Sequence, residues 1–438
     1  MADTFAGLPR IDLRADDAAA RRIWAERCAR SAGLAGEADT VARRVIEEVR
    51  RGGDEAVIAL TAEFEGRELS PATLELDAER RRSAASRVDR ALADALRDAA
   101  DNILRFHRTQ QFATSRMEQP GVRLQSRLAP LQRVAVYAPG GTAAYPSSVL
   151  MAAIPAKVAG VPQVILLTPR ASDVVVLAAE LAGVDRIFEI GGAQAIAAAA
   201  LGTATIPRVD KIVGPGNAYV TAAKRQVFGL CDIEGIAGPS EILVVADASA
   251  DPELVAADLI GQAEHDRLAC PVLVTSEPPL VDAVDAALAE QLADLPRRAI
   301  AEAALHDHGA AVLVADRAAM INAANAYAPE HLELLVEDAP AMAEAMVTAG
   351  AIFVGSWTPE AAGDYTAGPS HVLPTAGAAR FGSPLGVWDF LKYTSVLELD
   401  ATALRRQAAV IVKLARAEGL EGHARSVERR LTKPEGKA

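Results

Sequence analysis

Arg133-Val134-Ala135-Val136-Tyr137-Ala138-Pro139-Gly140-Gly141-Thr142 decides the fold class. The first five residues carry the period-two pattern of a strand, a Pro-Gly-Gly turn follows, and a helical pattern begins at Ser147. Strand, glycine turn and helix N-terminus is the arrangement in which α/β proteins hold phosphate groups, because unpaired N–H groups and the helix dipole point there. An ordinary βα turn has the same composition, so the stretch speaks for architecture before it speaks for a ligand.

The pattern repeats outward from this stretch. Val164 to Thr168, Arg186 to Ile190 and Lys211 to Val213 read as strands with helices between them, which predicts a parallel, helix-covered sheet. Two more glycine turns end strands here, Gly191-Gly192-Ala193-Gln194 and Gly214-Pro215-Gly216-Asn217-Ala218-Tyr219. Three such turns are placed to line the crevice at the carboxyl edge of the sheet, although none is a GxGxxG fingerprint. A variant nucleotide site is the most these residues allow. A second α/β series starts at Glu241-Ile242-Leu243-Val244-Val245, with strands at Val272 to Thr275, Ala311 to Val314, Leu332 to Leu335 and Ala351 to Val354. The linker between the two series is Gly235-Ile236-Ala237-Gly238-Pro239-Ser240. Asp16 to Gln111 reads as almost entirely helical, with Asp77 to Gln111 one long amphipathic stretch. His107 falls on its expected surface, and Arg80-Arg81-Arg82 reads as a solvated face rather than an anion site.

Composition narrows the class. The chain has 438 residues, 51% hydrophobic, enough for two or three domains with full cores, and only 4% are aromatic. A net charge of -13 and a pI near 5.2 argue against nucleic acid as a partner, since phosphate neutralisation needs a basic face. Cys28, Cys231 and Cys270 are isolated, so neither a disulfide framework nor a thiolate zinc site is expected, and a reducing cytoplasm fits. The N-terminus lacks a targeting pattern, and no stretch approaches the roughly 20 apolar residues of a membrane span.

The chemistry gathers on a few residues. In Ala328-Pro329-Glu330-His331-Leu332-Glu333-Leu334 a proline ends a helical pattern and alternating residues start a strand, placing Glu330 and His331 at a junction that faces a cleft. Adjacent carboxylate and imidazole move protons near neutral pH. Gln262 and His265, three apart, share a helix face. Gly363 to His371 reads as a loop holding Asp364 and His371, and the last helices carry Glu418 and His423. Two imidazoles, a carboxylate and an amide oxygen form an N/O set for zinc or a similar ion if the fold gathers them. His306 and His308 read as residues of a helix end.

Taken together, Ala237-Gly238-Pro239-Ser240-Glu241, Gln262-Ala263-Glu264-His265, Ala328-Pro329-Glu330-His331-Leu332-Glu333 and His371-Val372-Leu373-Pro374-Thr375 resemble the histidinol dehydrogenase family, over nearly the whole chain. The resemblance implies two Rossmann-like lobes with parallel sheets covered by helices, plus helical N- and C-terminal extensions used in dimerisation. It implies an N-terminal arm over 1–27, a zinc, substrate and catalytic lobe from 28–136 and 240–385, an NAD-binding lobe over 137–239, and a helical tail, 386–438, that contributes to the partner's site. The implied activity is zinc-dependent oxidation of L-histidinol to L-histidine via L-histidinaldehyde with two NAD reduced, the last step of histidine biosynthesis.

By motif match Gln262, His265, Asp364 and His423 are the implied ligands of one zinc per subunit, and Glu330 and His331 the catalytic pair. Ser240, Gln262, His265, His331, Asp364, His371, Glu418 and His423 match substrate-contacting positions, and Tyr137, Gln194 and Asn217 match NAD contacts. The partners implied are L-histidinol and a second copy of the chain in a homodimer with shared sites. The chain departs from the family at Ile233-Glu234, where Ile-Asp is usual, and at Asp266-Arg267-Leu268-Ala269-Cys270 after the ligand histidine. An NAD-dependent dehydrogenase of another small polar alcohol, such as a sulfonated diol, is the alternative within the superfamily. A metal hydrolase and a two-lobed binding protein are the alternatives outside it. The hydrolase leaves the glycine turns without a role, and the binding protein predicts no convergence of Gln262, His265 and Asp364.

Overall fold

The structure, a computed structural model, describes residues 5–30, 36–140 and 145–432. Gly141 and Thr142 of the first glycine turn lie outside the described residues. The chain forms two compact units, one of Met1–Gln110 with Gln132–Phe390 and one of Gln111–Leu131 with Leu391–Ala438.

The first unit contains two parallel sheets, as the alternating strand and helix patterns predict. The five-stranded sheet has the order Arg186–Phe188, Gln163–Leu167, Arg133–Tyr137, Lys211–Val213, Asp232–Ile233. The six-stranded sheet runs Arg10–Asp12, Ala310–Leu313, Cys270–Thr275, Glu241–Ala246, His331–Leu335, Ala351–Val354. Its middle strands are buried on both faces, and Glu241–Ala246 is buried at every position, which is why these strands read as continuous apolar runs. Between them lie helices with readable starts: Asp251 and Asp316 cap Pro252–Ala263 and Arg317–Tyr327 by accepting from Glu253 N and Ala319 N.

Several expectations are corrected. The helices of 28–136 do not belong with the second series: residues of Glu37–Glu65 such as Val45, Val49 and Leu60 share one core with Ala135, Ile165 and Ile196 of the five-stranded sheet and its helices. Amphipathic periodicity identifies an apolar face without saying which sheet it covers. The first strand of that sheet begins at Arg133, ahead of the expected boundary at 137. The N-terminal arm supplies an edge strand, Arg10–Asp12, to the six-stranded sheet. Asp77 to Gln111 is two helices, because Asp89 caps a new one, Arg90–His107, through Leu92 N. His107 is buried, its Nδ1 3.1 Å from Gln110 Oε1. Arg80 and Arg81 are paired with Asp173 and Glu180 of a neighbouring helix.

The second unit adds an antiparallel sheet that the pattern of the sequence hid. Leu391–Leu399, expected in a helical tail, pairs with Val122–Pro130, which pairs in turn with Ser115–Gln119. Helices Ala401–Ala417 and Glu421–Leu431 pack against each other in the same unit. Leu397, Val410 and Leu414 are more than half exposed there. All three cysteines are free, and burial pushes the thiols of Cys231 to about 12 and Cys270 to about 11. No described helix is long and apolar enough to cross a membrane.

Candidate active site

A cleft of about 1270 Å³ opens in the first unit, between the ends of its two sheets. From the five-stranded sheet it receives Pro139, Pro215, Gly216 and Asn217, from turns that follow strand carboxyl ends. From the six-stranded sheet it receives residues at strand amino ends, since His331 begins its strand and Ser240 precedes another. Helix Pro252–Ala263 runs back toward that amino edge, which puts Gln262 in its last turn and His265 just beyond its end, both on the cleft. His265 therefore stands past the helix rather than on it.

Glu330 and His331 follow Arg317–Tyr327, as the proline predicts, through Ala328 in the left-handed region at φ 53°. The His331 ring is buried and its Nδ1 lies 2.8 Å from the carbonyl of Glu241. A carbonyl only accepts, so Nδ1 carries the proton and Nε2 carries the lone pair. That Nε2 has no hydrogen-bond partner among the described residues. Burial pushes the imidazole down to about 4, against the opposing pull of Asp364 and the Glu241 carbonyl, so the ring is neutral near pH 7. Glu330 Oε2 accepts from Glu241 N at 2.9 Å, and burial pushes its carboxyl well above the usual range. The His331 ring is thus set as a neutral proton acceptor, while burial raises the proton affinity of the Glu330 carboxyl beside it.

Beside them stands a carboxylate that the sequence reading did not assign. Gly363 to Tyr365 is the end of a short helix, Glu360–Tyr365, not loop, and Glu360 and Asp364 sit four apart on it. Ligand atoms of His265, Glu360 and Asp364 lie within 4.8 Å of one another. Glu360 is buried and its carboxyl is pushed up by that burial and then by Asp364, Glu330, Glu333 and Asp258. A Gln262 oxygen has nothing to accept from a carboxylate, so its amide is oriented with the nitrogen donating to both Glu360 oxygens, leaving Oε1 free of them. The i, i+4 spacing of Glu360 and Asp364 after Pro359 was the signal available in the sequence. One imidazole and two carboxylates gathered in this way, with the Gln262 amide beside Glu360, form a donor set that fits zinc.

Ser240, Gln262, His265, Glu330, His331, Asp364 and His371 all line the cleft. His371 Nδ1 donates to the carbonyl of Asp364 at 3.0 Å. Asn217 lines the cleft and caps Ala218–Val227 through Tyr219 N and Val220 N. Tyr137 and Gln194 are buried rather than among the described residues that line it: the Tyr137 hydroxyl accepts from Gly192 N at 3.1 Å, and Gln194 Nε2 reaches Glu65 at 3.3 Å. Gly191 also lies under Pro169, so this second turn is filled by the protein's own side chains. Glu418 and His423 belong to the second unit, where Glu418 ends Ala401–Ala417 and His423 lies exposed on Glu421–Leu431. His308 does cap a helix, Arg298–Asp307. Glu234, at one departure from the family pattern, holds the third turn: it accepts from Gly214 N at 2.8 Å and from the buried Lys224 at 2.6 Å.

Known proteins share this chain's sequence and its fold. The family model described as histidinol dehydrogenase matches residues 29–431. A histidinol dehydrogenase of Syntrophotalea carbinolica is 50% identical over 401 residues, covering 90% of this chain and 93% of that one. One from Pseudomonas savastanoi pv. phaseolicola is 49% identical over 412 residues, 91% of each chain. The crystal structure of histidinol dehydrogenase from Elizabethkingia anophelis superposes with a TM-score of 0.88 at 33% identity, over 97% of this chain and 98% of that one. Matching sequence and fold along almost the entire length, with the motif residues gathered around one cleft, leave a single assignment: the chain belongs to the histidinol dehydrogenase family.

Proposed function

We propose that this enzyme oxidises L-histidinol to L-histidine by way of L-histidinaldehyde, the last step of histidine biosynthesis, with two NAD reduced per turnover and one zinc per subunit. The observation that carries the reading is the unpartnered Nε2 of His331 on the cleft that also holds the His265, Glu360 and Asp364 group. His265, Asp364 and the Gln262 oxygen would hold the zinc, with Glu360 keeping the Gln262 amide turned for it. When bound, zinc would supply a template that orients the substrate, and NAD would supply the hydride acceptor. Asn217 and the Gly214 turn form the NAD side of the cleft, with the buried Tyr137 and Gln194 supporting it.

His331 Nε2 takes the proton of the alcohol hydroxyl in the first oxidation, because it is a neutral base with its other nitrogen already committed. Glu330, whose proton affinity burial raises, takes a proton in its ionised form from the water that adds to the aldehyde. His331 serves again as base when the hydrate is oxidised. His371 and Ser240, which also line the cleft, orient the substrate.

The active unit is a homodimer in which Glu418 and His423 of one subunit complete the other's site, His423 as a zinc ligand. Support for this comes from the second unit itself, which exposes His423 together with the apolar Val410 and Leu414. A cytoplasmic location accords with three free cysteines. The test is purified protein assayed for metal and for NADH absorbance on adding histidinol. Two NADH per histidinol with stoichiometric zinc is expected; zinc without NADH refutes the activity.

A further inference from the structure

Glu241 follows the Gly238-Pro239-Ser240 stretch, yet none of the chemistry above uses its carboxylate. It is buried, and it is held by a guanidinium from a distant part of the chain: Arg30 donates to it through Nε at 2.6 Å and through Nη2. The same guanidinium lies 3.4 Å over the Tyr327 ring and donates to the Tyr327 carbonyl at 2.7 Å and the Ala328 carbonyl at 3.4 Å. Those carbonyls end the helix that leads into Glu330 and His331, at the one left-handed residue of the junction.

Glu241 completes the grip from the other side. Its carboxylate accepts from Glu330 N at 3.4 Å, while its own N–H donates to Glu330 Oε2 at 2.9 Å, so the two glutamates bind each other reciprocally. Its carbonyl receives His331 Nδ1–H, and its Oε1 receives Ala376 N from the segment after His371. A carboxylate this buried survives only with a charge partner and satisfied oxygens, and Arg30 supplies the charge. The arrangement has a cost that apolar packing avoids, which points to positioning rather than to stability alone.

We propose that Arg30 and Glu241 are positioning residues for the proton-transfer pair: their ion pair sets the place and tautomer of the His331 ring and the rotamer of Glu330. The inference rests on the reading of His331 as the base. It assigns Arg30, close to the N-terminus in sequence, to the active site through Tyr327 and Glu241, without contact with substrate.

The test uses the full-length, zinc-loaded protein. Arg30→Met and Glu241→Gln are expected to lower kcat by about tenfold to a hundredfold, with KM for histidinol and NAD and the zinc content within about twofold of wild type. Arg30→Lys, which keeps the charge but not the fork, is expected to recover part of that loss. Normal kcat per folded molecule in these variants overturns the proposal, as does a rise in KM alone. Should either variant fail to fold, nitrogen-15 NMR of histidine-labelled wild type decides, with the His331 signals assigned by their loss in His331→Asn. Protonation at Nδ1 supports the proposal and protonation at Nε2 overturns it. A His331→Asn enzyme that turns over normally refutes the base assignment itself; normal turnover in the Arg30 and Glu241 variants alone refutes only their role.

Discussion

Replacing His331 with Asn isolates the base. The ring is neutral near pH 7, because burial holds it at about 4, so a neutral amide leaves the charge around His265, Glu360 and Asp364 unchanged. The Asn amide nitrogen is positioned to replace Nδ1 as donor to the Glu241 carbonyl, which spares the hydrogen bond at 2.8 Å. What is lost is the lone pair at Nε2 and part of the ring's packing, whose centroid lies 5.9 Å from that of Phe353. The packing loss costs about 1 to 2 kcal/mol of stability by comparison with other buried truncations, too little to unfold a chain of this size. The missing base lowers the rate by about a hundredfold to ten-thousandfold, equivalent to roughly 2.7 to 5.4 kcal/mol in the barrier. The assay is stopped-flow NADH formation with histidinol and, separately, with histidinaldehyde, alongside zinc content and the thermal midpoint. Both oxidations should fall together, with zinc retained. A kcat within threefold of wild type in a zinc-replete, folded variant refutes the assignment.

Replacing Glu330 with Gln should slow the aldehyde half-reaction more than the alcohol half, as water activation belongs to the second; equal losses in single-turnover measurements point instead to orientation of His331. Glu360→Gln should weaken zinc binding by about tenfold to a hundredfold, measured by competition with a chelator, since the Gln262 amide loses the carboxylate that orients it; unchanged affinity removes Glu360 from the metal site. Glu333 is pushed up to about 10 by burial and by Asp258, so the unfolded chain releases this proton at lower pH, near 4.3, and stability falls as pH rises between those values. Glu333→Gln should therefore gain thermal stability relative to wild type from about pH 6 to about pH 9, and a pH-independent difference contradicts the argument. Mixing His423→Ala with His331→Asn chains should form heterodimers with one site carrying both defects and the other none, restoring about half of wild-type activity per heterodimer. A dead mixture containing heterodimers, identified by mass, rules out the shared site.

Local chemistry wrote much of the site into the sequence. Pro329 ends a helix and the alternation beyond it starts a strand, so the junction that carries Glu330 and His331 was legible without any partner. The strand at Arg133–Tyr137 was legible for the same reason, because backbone preference and period two act within a few residues. Glu360 was not, since only a short helix that forms against the second sheet turns its carboxylate toward His265, and a six-residue helix leaves almost no periodic trace.

Sequence alone therefore determined the alternating α/β order and the residue types of the proton-transfer pair. Each depends on neighbours within one or two turns of chain. Tertiary structure decided which sheet the N-terminal helices cover, that His107 is interior, that Leu391–Leu399 is a strand, and that Tyr137 and Gln194 are buried. It also decided that Arg30 and Glu241 meet, 211 residues apart in the chain. An apolar face, an edge strand and a buried charge each require a partner, and the identity of that partner is a property of the packed chain rather than of any stretch within it.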